Sequence, residues 1–549
     1  MENNNILGNE QAGFRKGYST IDHIFVLHSL VNVYQYQKRK LFCAFVDYQK
    51  AFDLVDRSSL WSKLIRHGVV GKIFTVIKNM YTHAKSCVSL NNLKSEFFSC
   101  DIGVRQGENL SPILFALYLN DFQNFLCTKY DGLIHVNDPL IHEETRVYLK
   151  LFTLLYADDT IILAESANEL QKAMHALKEY CDKWSLRVNT QKTKIIIFSR
   201  GKVRKLPKIY YDNSELDITT DFTYLGSKFN YNNRSQKAQS AQVIQARRAL
   251  FSLKNKCNDL DLPIDIEIEL FDQMITPILL YGSEVWGHED TSIVENFHMK
   301  FCKKTLGVHK YTPNSMVLKE LNRKRIAVKI DNRMLNYWLK VATDDDSKLT
   351  KTMYHLLMNM HERTTYKSLW LQKIQNLLND TGMSYIWRLD PYSIDKNWFK
   401  HIMKIKLNDI STQNNNSELQ QNGQCCTYKL LQYEENVLPA YLKKLDKKNR
   451  QPITRIKCLN NKLPIITGRQ QNIPKHDRLC TLCTRQTLGD EYHYILECPY
   501  FHENRTRLLD RHYYNRPSMD KLKQLLNSHD PGILTNLSKL CSIIISKFI

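Results

Sequence analysis

"LFTLLYADDTIILAE", residues 151–165, sets two adjacent aspartates, Asp158 and Asp159, between two apolar runs. Flanks of this kind read as buried strands, with the paired acids at the turn of a hairpin. Two carboxylates among apolar neighbours repel each other and lose hydration. A fold keeps them only where water, hydrogen bonds or a cation offset the cost. A solvated hairpin tip supplies the first and a divalent metal site the last, and the choice turns on whether another acid converges on the same place.

Asp47 is that acid, at the end of the apolar run "LFCAFVDY", residues 41–48. Three carboxylates at one sheet edge form the minimal cage for two Mg²⁺ ions about 3.5–4 Å apart. One ion activates an attacking 3′-hydroxyl and the other holds a triphosphate leaving group. Successive strand residues face opposite sides, so Asp158 and Asp159 are not equivalent, and Asp158 is expected to be the stricter ligand. The plainer reading is a turn decorated with solvated acids.

Of 549 residues, 43% are hydrophobic and 24% charged, which excludes a disordered chain and suits about three or four domains. Lys and Arg total 77 against 56 Asp and Glu, a formal charge of +21 that points to a polyanionic partner. The start, "MENNNILGNEQ", lacks the basic and apolar parts of a signal peptide, and no apolar run reaches the ~20 residues that span a bilayer. The expectation is an intracellular protein, nuclear and cytoplasmic, not secreted and not in a membrane. Fourteen cysteines, mostly alone in apolar segments, read as reduced thiols.

No solenoid-length repeat is evident. "RSSLWSKLIRHGV" reads as a helix after the Asp47 strand, residues 84–104 as a hairpin around "NNLKSE", and "SPILFALYLNDFQNFL" as one buried helix. Residues 128–146 form a polar insertion before the paired aspartates. "NELQKAMHALKEYCDKWSL" is a helix, "KIIIFS" and "FTYLGSKF" are strands, and helix dominates from about residue 235. "ATDDDSK" and the Asn/Gln-rich "LNDISTQNNNSELQQNGQ" read as linkers or loops.

"QAGFRKGYSTIDHIF", "AFVDYQKAFDLVD", "GVRQGENLSPILFALYLND", "LLYADDT", "LRVNTQKTK" and "FTYLGSKF" follow one another in this order. Together they resemble the successive core motifs of the reverse transcriptase of non-LTR (LINE-type) retrotransposons, over about residues 10–230. "ILLYGSEVWG" and "ITRIKCLNNKLPIITGR" resemble segments usual downstream in that family. The resemblance implies that Asp47, Asp158 and Asp159 hold the catalytic metal. It makes Phe52 an aromatic gate against a ribose 2′-hydroxyl, favouring dNTPs over rNTPs, and Gln106 and Gly107 a loop touching nucleotide and template. Lys192 becomes a donor to the leaving pyrophosphate, Arg15 a phosphate contact from the fingers, and Tyr224, Leu225 and Gly226 the primer grip. Without the family, Phe52 reads as a core residue and Lys192 as a surface one. The basic helix bearing Arg247, Arg248 and Lys254 suits a thumb on template and primer phosphates.

"CTLCTRQTLGDEYHYILEC" offers Cys480, Cys483, His493 and Cys498, three thiolates and an imidazole with the spacing of a zinc knuckle. His502 is an alternative to His493. Such an element binds RNA or DNA through nearby aromatic and basic residues, here Tyr492, Tyr494 and Arg485.

These readings give an α+β fold: a right-hand polymerase palm, an antiparallel sheet with helices, carrying partial fingers in residues 1–232. A helical thumb follows in 233–340, a helical connector with an Asn/Gln-rich loop in 341–465, and a zinc-knuckle region in 466–549. The expected activity is RNA-directed DNA polymerisation in target-primed reverse transcription. It uses two Mg²⁺ ions, dNTPs, an RNA template and a DNA primer or target, with structural Zn²⁺. Full-length elements of this kind carry an endonuclease and further fingers motifs ahead of the polymerase, so the chain is expected to be N-terminally truncated, without the endonuclease. A catalytically inactive remnant that only binds nucleic acid is the alternative.

Overall fold

The computed structural model describes residues 6–91, 93–129, 153–257, 260, 262–423, 426–430 and 437–548. The polar insertion expected at 128–146 lies almost wholly outside them. The chain divides into two compact units, neither continuous in sequence. The first holds Met1–Ala238, Gly282–Glu289 and Met334–Asp395; the second holds Gln239–Tyr281, Asp290–Arg333 and Lys396–Ile549.

The first unit is built on a five-stranded sheet in the order Asp217–Ile218, Lys194–Phe198, Leu41–Val46, Asp159–Ala164, Thr153–Tyr156. Leu41–Val46 takes the centre because all six of its residues are buried, which requires cover on both faces. Alternation divides its side chains. Phe42, Ala44 and Val46 join Ile162, Ile195 and Ile197 in the main core, beneath Leu170, Met174 and Leu177 of helix Ala167–Lys183. Phe45 points the other way and stacks on Phe222, ring centroids 4.7 Å apart. The central strand is antiparallel to both neighbours, and only the short edge strand Asp217–Ile218 runs parallel to its partner. The sheet is therefore mixed by one pair where an antiparallel one was expected.

The expected "SPILFALYLNDFQNFL" helix is instead two, Ser111–Tyr118 and Phe122–Lys129. Side chains at the break bind elsewhere and outcompete helix continuation. Asn120 Nδ2 donates to the Ile6 carbonyl and its Oδ1 accepts from Gly8 N, while Asp121 accepts from Lys63 Nζ at 2.7 Å and from the Tyr180 hydroxyl at 2.6 Å. The break expected at "ATDDDSK" separates helices Ile326–Ala342 and Leu349–Arg363.

The second unit is helical among its described residues. The Asn/Gln-rich stretch read as a loop lies for the most part in the 26-residue helix Lys396–Gln421. Composition misled here because tertiary contacts pin that helix. Leu407 and Leu419 are buried, Asn415 Nδ2 donates to the Ser315 carbonyl, and Glu418 pairs with Arg325. Nearby, Glu320 and Lys457 form an ion pair at 2.8 Å with both side chains fully buried. The same carboxylate accepts from the Tyr428 and Tyr441 hydroxyls, each at 2.7 Å. No helix among the described residues is long and apolar enough to cross a membrane.

Candidate active site

Strands Thr153–Tyr156 and Asp159–Ala164 pair with Tyr156 opposite Asp159, leaving Ala157 and Asp158 as the two-residue turn. Ala157 holds a left-handed φ of 56°, a conformation that a non-glycine residue adopts only when its surroundings impose it. Those surroundings come from the N-terminal segment. Gln11 Oε1 accepts from Ala157 N at 3.3 Å and from Gly13 N at 2.9 Å, Ala12 N donates to the Leu155 carbonyl, and Leu155 N donates to the Glu10 carbonyl. Gly13 packs so closely that a Cβ there would meet Ala157 N at 2.5 Å. Gln11 and Gly13 were not singled out from sequence. Both lie in the quoted "QAGFR" motif, and a glutamine and an Ala-Gly step before Phe14 carry no distinctive chemistry on their own.

The central strand brings the third acid. Its register sets Val46 opposite Thr160, so one step further Asp47 stands beside Asp159. Asp47 is fixed past the strand end: its carbonyl accepts from Asn189 N at 2.7 Å, and its own N–H donates to Thr193 Oγ1 at 3.2 Å. The turn after Asn189 also carries Lys192, whose Nζ lies 4.0 Å from Asp47 Oδ2 with 71% of its side chain exposed. Asp47, Asp159, Lys192, Lys194, Tyr224 and Lys228 all line one cleft of about 560 Å³.

Asp159 lines that cleft with Asp47, and Asp158, expected to be the stricter ligand, occupies the turn directly before it. The carboxylates of the three acids do not all close to within 4.8 Å of one another. They are still near enough to interact. Asp159 is pushed up to about 6 by desolvation, then by the charges of Asp158 and Asp47. Asp158 is raised by desolvation and by Asp47. Both acids are open to solvent at the turn. Hard carboxylate oxygens gathered in this way, with Lys192 4.0 Å from Asp47, are the donor set that a divalent ion suits.

Tyr224 is buried, with its hydroxyl 3.2 Å from His23 Nδ1, and it ends the strand Asp221–Tyr224. Leu225 and Gly226, with φ of 45° and 75°, turn that strand tightly into Ser227–Asn230. Phe52 is half-buried, stacked on Phe115 at 4.9 Å, and does not line the cleft. Its carbonyl accepts from Val104 N, and Gln106 Nε2 donates to Asp53 Oδ1 at 3.1 Å, so the Phe52 and Gln106–Gly107 segments are bound side by side. Arg15 uses Nη1 on the Gly8 and Gln11 carbonyls and lies over the Tyr18 ring. Its guanidinium thus braces the N-terminal segment that buttresses the turn. Lys194, Lys228 and Thr193 are further residues of the site that the sequence reading did not select. "QKTK" and "GSKF" carried the lysines, but a lysine in a strand has no signal of its own.

In the second unit, Cys480, Cys483, His493 and Cys498 bring four ligand atoms within 4.8 Å of one another. Cys480 Sγ lies 3.9 Å from Cys498 Sγ, and Cys483 Sγ lies 3.5 Å from His493 Nε2. Thr487 Oγ1 sits 3.0 Å from His493 Nδ1, which leaves Nε2 for the thiols, and the Leu482 amide donates to Cys480 Sγ. The set is gathered with His493; His502 is not part of it. Three sulfurs and one imidazole are the ligand chemistry of a closed structural zinc site.

Residues 1–229 match the family model described as reverse transcriptase (RNA-dependent DNA polymerase). A probable RNA-directed DNA polymerase from transposon BS of Drosophila melanogaster is 27% identical over 299 residues, 52% of this chain and 31% of its own length. The RNA-directed DNA polymerase from mobile element jockey of Drosophila melanogaster is 23% identical over 375 residues, 65% of this chain and 38% of its own. The chain thus spans about a third of the length of these curated relatives. Among solved structures, telomerase from Candida albicans, in complex with a fragment of telomeric RNA, covers 60% of this chain and 54% of its own at 11% identity and a TM-score of 0.28, a likeness too remote to bear on the reading. With its acids on one sheet edge and its motifs in order, the segment 1–229 is the part of the chain that matches the reverse transcriptase (RNA-dependent DNA polymerase) family model, and it is similar to the RNA-directed DNA polymerases of these mobile elements.

Proposed function

We propose that the chain is an RNA-directed DNA polymerase that extends a DNA primer on an RNA template with dNTPs. The observation that carries this is the register placing Asp47 beside Asp159, on one cleft wall with Lys192. Asp47, Asp158 and Asp159 would hold Mg²⁺, which when bound supplies activation of the primer 3′-hydroxyl and charge neutralisation on the triphosphate.

Lys192, with 71% of its side chain exposed beside Asp47, would hand a proton to the departing pyrophosphate. Lys194 and Lys228 add positive charge to the same wall, where a phosphate backbone or triphosphate would lie. The Tyr224 turn suits a primer terminus approaching the acids. Phe52, held against the Gln106–Gly107 loop, is the candidate discriminator against a 2′-hydroxyl, and Arg15 supports the turn from behind. In this reading residues 1–232 serve as fingers and palm and the helices after them as thumb. The Cys480, Cys483, His493, Cys498 set would bind Zn²⁺ as a structural element that contacts nucleic acid.

Primer extension on an RNA template by the purified chain tests the proposal. Wild type should incorporate dNTPs in a Mg²⁺-dependent manner, and Asp47→Ala and Asp159→Ala should each lose more than about 100-fold in rate. A folded chain without extension, or variants as active as wild type, would sink it.

A further inference from the structure

The second unit holds an open-sided cavity of about 230 Å³ that neither the acidic cleft nor the cysteine cluster uses. Its walls come from the end of helix Gln236–Lys256 and the described residues Cys257, Leu260 and Leu262 after it, from helices Ile264–Leu270 and Ser292–Leu306, and from the first turn of helix Lys447–Lys457. Leu253, Leu270 and Phe301 give it an apolar side. Lys254, Lys304, Lys447 and Arg450 set four cations against a single carboxylate, Glu267.

Cations collected in this way are ordinarily paired or in open water. Arg450 is neither. It is only 6% exposed, and its guanidinium has no hydrogen bond or ion pair among the described residues. The nearest acid in sequence, Asp446, is occupied as the cap of the same helix, accepting from Asn449 N at 2.7 Å and from Asn449 Nδ2 at 3.1 Å. Lys254 is held below the ordinary lysine value by burial and by Lys304 and Lys447, against the pull of Glu267. The cavity therefore carries uncompensated positive charge beside an apolar wall. Its volume is several times the ~30 Å³ share of one water, enough for more than a bare anion.

We propose that this cavity binds a phosphomonoester with a nucleotide-sized organic body. Its phosphate sits on the Arg450 fork with the lysines around it, and its body lies against Leu253, Leu270 and Phe301. A free mononucleotide and the 5′-phosphorylated end of a nucleic-acid strand share this chemistry. The site shares no residue with the acids of the polymerase reading and does not depend on that reading.

The test uses the full chain in magnesium-free buffer with two probes: dAMP, followed by titration calorimetry, and a short single-stranded DNA bearing either a 5′-phosphate or a 5′-hydroxyl, followed by fluorescence polarisation. Either dAMP binds, which assigns the free nucleotide, or the 5′-phosphate strand binds at least tenfold tighter than its hydroxyl twin, which assigns the strand end. Arg450→Gln, and separately the double variant Lys304→Gln/Lys447→Gln, should each weaken that binding at least tenfold, while Asp47→Ala leaves it unchanged. Lys304 and Lys447 are exposed, so their replacement keeps the test decisive even if Arg450→Gln does not fold. Absence of both dAMP binding and 5′ discrimination, or binding indifferent to these substitutions, overturns the proposal.

Discussion

Lys63 shows how much one residue settles in this fold. Its side chain is 2% exposed, its ammonium lies 3.7 Å from the Trp184 ring centroid, and it donates to the Tyr118 carbonyl, to Asp121 and to the Tyr180 hydroxyl. These contacts hold the turn between the two helices that sequence had read as one. Burial still lowers its pKa to about 8, against the support of Asp121. Between that value and 10.5 the unfolded chain binds the proton more fully than the folded one, so stability from this group rises with pH across the window. Relative to Lys63→Met, wild type should gain up to about 3 kcal/mol on going from pH 7 to pH 10.5. Urea unfolding of both proteins at the two pH values checks this, and a constant difference contradicts it. No sequence signal marked Lys63, because a lysine becomes a core residue only through partners far along the chain.

Elements place the acids more than their own propensities do. The paired aspartates were readable because two apolar runs flank them, and Asp47 because it ends a third. The strained Ala157 turn is imposed by Gln11 and Gly13, about 145 residues away in sequence. Gly13→Ala should push the turn out of register with Asp47, lowering primer extension about 100-fold while costing roughly 1–2 kcal/mol of stability. Extension rates and melting temperatures of the same preparation separate the two effects, and full activity would refute the buttress. In the second unit, Lys457→Met leaves Glu320 buried without its cation and should cost about 3–5 kcal/mol, read by denaturant unfolding. A loss under about 1 kcal/mol would show the pair to be dispensable.

At the scale of the whole molecule, the two compact units carry different chemistry, and the cysteine cluster belongs to the second. Metal analysis should give one zinc per chain, lost in Cys483→Ser or with a strong chelator. Hydrogen exchange should then rise around residues 479–505, with the five-stranded sheet unchanged. Uniform exchange with and without the chelator would deny the cluster a structural role. The discontinuity of the units was not legible in a linear reading. Residues 334–395 pack with the first unit through contacts such as Lys340 Nζ to Asp22 at 2.6 Å. The helix at 396–421 forms despite its polar composition because Leu407 and Leu419 find cover. Both outcomes rest on contacts between residues far apart in the chain, which no local pattern contains.

By itself the sequence determined which residues are the candidates for the chemistry. Ordered short motifs named the acids, the lysine and the cysteine set, because carboxylates, thiolates and turn glycines are costly to place and so stand out locally. Only tertiary structure decided that Asp47 and Asp159 line one cleft, that His493 is gathered with the three thiols, and that Arg450 is buried with no ion pair among the described residues. Those three outcomes depend on strand register, helix docking and the burial of a charge, and each is settled by packing between segments that sequence alone leaves unconnected.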